Sequence, residues 1–95
     1  MGTIRRLVLD VLKLHEPDLV AFTAALEDLE CIDAVNVTLD EVDSKTETVK
    51  IVVAGTDLNF DEIQSSLQDL HASIHSIDQV VAGKRIVESI ETPQD

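Results

Sequence analysis

Two short phrases occur twice in this chain, in the same order. Leu26-Glu27-Asp28-Leu29 returns as Leu67-Gln68-Asp69-Leu70, and Ile32-Asp33-Ala34-Val35 returns as Ile77-Asp78-Gln79-Val80. In each half the first phrase closes a run with apolar residues at helical spacing. The second opens a run of β-branched residues at alternating positions. A strand–helix–strand unit used twice in 95 residues leaves little freedom. One sheet must hold the strands, and both helices must cover the same face of it.

The elements can be placed from their patterns. Ile4 to Leu14 reads as the first strand, with Leu7, Leu9 and Val11 on one face and Arg6, Val8, Asp10 and Leu12 on the other. Pro17 suits a first helical turn, Glu16 and Asp18 favour the positive end of the helix dipole, and Leu19, Phe22, Leu26 and Leu29 form the helical stripe. Residues 32–43 and 48–54 read as a hairpin around Ser44-Lys45-Thr46, with Val35, Val37, Leu39, Val49, Ile51 and Val53 inward. Asn59 followed by Glu62 resembles a capping box ahead of a second stripe, Phe60, Ile63, Leu67 and Leu70. The last strand is expected to start at Ile74 or Ile77 and run to Ile90, with a bulge or bend at Gly83. The prediction is an α+β, ferredoxin-like βαββαβ fold: one domain over residues 1–95, an antiparallel four-stranded sheet in the order 4-1-3-2, and two helices on one face.

Charge narrows the partners. Nineteen acidic residues against seven basic give a net charge of −12. Such a surface repels phosphate backbones, and the two Phe, with no Tyr or Trp, supply no aromatic platform for bases. Nucleic acid is therefore not an expected partner. No apolar run approaches the roughly 20 residues that span a bilayer, and no signal peptide opens the chain, so a cytoplasmic location without membrane is expected. Cys31, the lone cysteine, has no partner for an internal disulfide and reads as a small packed hydrophobe.

The sheet face away from the helices carries Val8, Leu12, Val52 and Ala54 among polar neighbours. A half-apolar open face marks an association surface, so the chain itself is the expected partner, as a homo-oligomer.

Chemistry is thinner. The fold brings the end of the first strand toward the start of the fourth, which gathers His15, Glu16, His75 and Asp78. Two imidazoles with two carboxylates suit a divalent cation such as zinc or manganese; surface histidines with a helix-capping Glu are the plainer reading. Asp10 sits mid-strand between apolar neighbours and needs either an ion-pair partner, Arg6 or Lys84, or a cation such as calcium or magnesium at a junction between subunits, shared with a carboxylate such as Asp40. No Gly-rich phosphate loop or local Ser-His-acid motif is present, so no catalytic residue is assigned.

Three segments carry a family resemblance: Leu9 to Lys13 followed by His15-Glu16-Pro17, then Ile74 to Lys84, then Val87-Glu88-Ser89 to Glu91-Thr92-Pro93. Together they are similar to a small archaeal family known as domain of unknown function 211. The resemblance covers nearly the whole chain and implies a ferredoxin-like protein that assembles into homo-oligomers. It implies no activity and transfers no catalytic residue. A looser likeness links the element order to ACT-type regulatory domains, which bind small metabolites at subunit interfaces. Those domains place Gly after the first strand, where this chain has His15-Glu16-Pro17-Asp18.

The expected function is a homo-oligomeric binding or regulatory module, with divalent cations at its junctions and a small-molecule ligand as a further partner class. The competing classes are a small metal-dependent enzyme built on the His15/His75 region and a structural partner of a larger complex.

Overall fold

Alternation along the central strands sets the architecture. A computed structural model describes residues 3–84. It contains β1 (Ile4–Leu14), α1 (Leu19–Glu27), β2 (Ala34–Val42), β3 (Thr46–Ala54), α2 (Phe60–Asp69) and β4 (Ala72–Ala82). The four strands form one antiparallel sheet in the order β2-β3-β1-β4, the predicted order read from the other edge. Leu7, Leu9 and Val11 of β1 lie opposite Val53, Ile51 and Val49 of β3, and all six are buried. Phe22 and Leu26 of α1 and Ile63 and Leu67 of α2 close over them. Each such side chain contributes about 1.5–3 kcal/mol through removal from water. β2 contributes no fully buried residue. Val35 and Val37 only lean on the core, and Leu39, expected inward, is exposed.

The helix starts follow capping chemistry. Asp18, not Pro17, sets the first one: its carboxylate accepts the Ala21 N–H at 2.8 Å, so the helix begins at Leu19 and Pro17 stays outside it, after a cis Glu16–Pro17 bond. Asn59 caps α2 as its spacing predicts, accepting the Glu62 N–H at 3.1 Å. Cys31 is half-buried against the core.

The last strand starts earlier than the expected Ile74 or Ile77. α2 ends at Asp69, His71 takes a positive φ of 62°, and β4 begins at Ala72. The second Ile-Asp phrase therefore lies mid-strand, whereas the first precedes a strand. Residues beyond Lys84, including the predicted strand end at Ile90, lie outside the described residues. Gly83 does bend the chain, at φ 149°, and its N–H bonds the Thr3 carbonyl at 2.8 Å. No helix among the described residues is long and apolar enough to cross a membrane.

Candidate functional site

The alternation that buries Leu7, Leu9 and Val11 continues one step further and buries Lys13, which is 1% exposed. Its register partner is Glu47 of β3, and its Nζ lies 3.0 Å from Glu47 Oε1. The same ammonium donates to the Leu14 carbonyl at 2.8 Å and stands 5.3 Å from the centre of the Phe22 ring, so it is compensated on several sides.

His15 completes this cluster. Its Nδ1 lies 3.0 Å from Glu47 Oε2, and its Nε2 lies 3.0 Å and 3.1 Å from the carbonyls of Asp43 and Ser44. Every partner of the ring is an acceptor, which suits an imidazolium with two N–H donors. The hydrogen bond to Glu47 raises the His15 pKa above its ordinary value, with the Ser44 carbonyl adding to it. Glu47 moves the other way, lowered by its hydrogen bonds to His15 and then Lys13. Chemically, the trio pins the β2–β3 turn to the end of β1.

A second cluster occupies the open face. Asp10 and Lys50 are register partners across β1 and β3, with Nζ 3.8 Å from Asp10 Oδ1. Lys50 reaches Asp78 more closely, at 2.8 Å, and Ser76 donates to the other Asp78 oxygen at 2.8 Å. The Lys50 hydrogen bond, followed by that of Ser76, lowers the Asp78 pKa, and the bond to Asp78 raises that of Lys50. Among the described residues, Asp10 Oδ1 is shielded from solvent and has no hydrogen-bond donor, and Arg6 Nε is likewise shielded and has no acceptor. The expected ion pairs of Asp10 with Arg6 or Lys84 are thus replaced by Lys50, the residue directly across the ladder.

The register separates the residues that sequence reasoning had gathered. Lys13 pairs with Ala72, and the Leu14 N–H donates to the His71 carbonyl, so the histidine that the end of β1 meets is His71, just ahead of β4 and opposite Leu14. His75 lies further along, between the partners of Asp10 and Val11, and Asp78 between those of Val8 and Leu9. Both fall at irregularities where β4 holds one residue more than β1, a setting that redirects side chains. Glu16 is exposed and makes no side-chain hydrogen bond among the described residues. The structure therefore brings Asp10 and Asp78 to Lys50 and takes His15 to Glu47, while Glu16 and His75 make no side-chain hydrogen bond among the described residues, His75 acting on Asp78 only through charge. Among the described residues no group of three or more His, Cys, Asp or Glu converges as a metal site would.

Lys13 and Glu47 were missed. The signal was the unbroken alternation from Leu7 to Lys13 and back from Val49 to Glu47, two opposite charges at inward positions that the hairpin and its neighbour align.

A protein-family profile described as "Uncharacterized ArCR", DUF211, matches residues 5–95. The chain belongs to the DUF211 family. Similarity is substantial to the "Uncharacterized protein MJ0319" of Methanocaldococcus jannaschii, 52% identical over 95 residues, which covers 100% of this chain and 98% of the relative. That relative carries the archaeal character expected from the resemblance.

Proposed function

We propose that this DUF211 protein is a non-enzymatic module that works as an assembly of its own copies, joined through the open face of the sheet. One observation carries the reading. Val8 and Val52 are register partners on the face without helices, and Leu12 and Leu14 extend the apolar strip with 42% and 48% of their surface exposed. Opposite charges sit within the same strip, Asp10 and Asp78 against Lys50. A patch with both signs of charge can be complementary to itself across a two-fold axis, which suits a second copy of this chain.

The shielded Asp10 oxygen supports a role for cations at that junction. Bringing two copies together desolvates Asp10 and Asp78 further, and a divalent ion is one way to compensate those carboxylates. The test is the molar mass in solution. Light scattering at micromolar concentration should give a multiple of the chain mass. Val52→Lys should reduce it toward one chain with the circular dichroism unchanged. A monomer for the unmodified protein overturns the proposal.

A further inference from the structure

The edge of the sheet formed by β2 offers a different surface, independent of the open face. Among the described residues β2 pairs with β3 alone, so its outer backbone groups face away from the sheet. Strands at such edges are usually protected by charges or bulges. Here the protection is confined to one end. A register irregularity follows Leu39, and Asp40, Glu41 and Asp43 come after it, while the six residues from Ala34 to Leu39 carry no charge at all.

An apolar cleft of about 600 Å³ runs beside this uncharged stretch. Leu19, Val20 and Ala24 of α1 form one wall and Val35 and Val37 of β2 the other, with Glu27 at the rim. Val20 is 80% exposed there, a large apolar side chain left open among the described residues. The stretch is flanked by acid: Asp33 precedes it, Asp40, Glu41 and Asp43 follow it, and Glu27 and Glu30 close the near end of α1.

We propose that β2 and this cleft form a docking site for an extended peptide segment of another protein, apolar at alternate positions and basic at its ends. The backbone of such a segment would extend the sheet by one strand, and its alternate side chains would enter the cleft. Ala34 to Leu39 offers roughly 20 Å of edge, enough for six partner residues. Charge complementarity selects the partner. A second copy of this chain brings −12 against an acidic rim, whereas Lys or Arg at either end of the segment meets carboxylates.

The experiment is an NMR titration of the isotopically labelled protein with the peptide Lys-Thr-Val-Thr-Val-Thr-Lys, and with the same peptide carrying Glu at both ends. Shifts should concentrate on the amides of Ala34 to Leu39 and on α1. The Glu-ended peptide should bind at least roughly tenfold more weakly, and added salt should narrow that gap. Ala24→Leu, a substitution at an exposed helical position that fills the cleft, should weaken the Lys-ended peptide about tenfold with the fold intact. Equal binding of both peptides overturns the proposal, as do shifts mapping to β4 or the open face. So does concentration dependence of the β2 amides without peptide, because that would make a second copy the occupant. The effect of Val52→Lys on the oligomer mass, read separately, reports on the open face, because Val52 lies on the sheet face away from the helices and not on the β2 edge.

Discussion

Lys13 and Glu47 face each other across β1 and β3, and their 3.0 Å contact places a charge pair at the edge of an otherwise apolar core. The lysine side chain is fully shielded and the glutamate is 18% exposed, so the two are not equivalent. Removing the acid strands a buried ammonium; removing the ammonium leaves a carboxylate that still reaches water and His15. Glu47→Gln should therefore lower Tm more than Lys13→Met, whose stem keeps its packing. The double variant should recover most of the loss. Thermal unfolding of the three proteins checks the order, and a larger loss for Lys13→Met would contradict it.

The His15 contacts predict a pH window. Its folded pKa is raised above the ordinary 6.5, chiefly by the Glu47 hydrogen bond, so its stabilisation is complete below 6.5 and lost as pH rises through the folded value. Glu47 is lowered from 4.5, chiefly by His15, so its share is complete above 4.5 and lost as pH falls through the depressed value. The clamp on the β2–β3 turn is strongest between these two limits. NMR titration of the His15 ring should give a midpoint above 6.5, and the amides near Ser44 should titrate with it. In Glu47→Gln the midpoint should fall.

Phe22 supports both the core and the Lys13 ammonium. It is fully buried, so Phe22→Ala should cost about 3–5 kcal/mol in chemical denaturation. Ile51→Val, one methylene smaller at a central position, should cost about 0.5–1.5 kcal/mol. A Phe22→Ala loss no larger than that of Ile51→Val would show that the ring is not a keystone.

Assembly should respond to ions. Each copy adds −12, and screening at ordinary ionic strength acts over about 8–10 Å. Added salt or millimolar calcium or magnesium should raise the oligomer fraction relative to low salt with chelator. Asp10→Asn should blunt the response to divalent ions more than it alters folding, because Asp10 carries a shielded oxygen on the open face that the 3.8 Å Lys50 pair leaves without a hydrogen bond. Identical masses in all these conditions would count against cation-assisted assembly.

Local rules made most of the fold legible. β1 and β3 alternate cleanly because one face of each is buried along its length, and α2 announces itself through Asn59 and a four-residue apolar stripe. The repeated Ile-Asp phrase misled. It marks a strand start at Ile32-Asp33 but the middle of β4 at Ile77-Asp78, since α2 turns into β4 through Leu70 and His71 alone. That displacement drew His75 toward His15 in the sequence reading, although the ladder pairs the β1 end with Ala72. Side-chain partners across strands depend on register, and register is set by bulges at His75 and Asp78 that composition does not betray.

β2 owns no fully buried side chain, whereas β1 and β3 own most of the strand core. Local opening of the molecule is therefore cheapest at that edge: β2 can separate from β3 and α1 while the β1–β3–β4 ladder and α2 keep their burial. Within one chain β2 is then the strand expected to open first, tethered at its far end by the carbonyls of Asp43 and Ser44 against His15. Amide exchange should be faster along β2 than along β1 at every pH, and fastest where that tether has lost its proton.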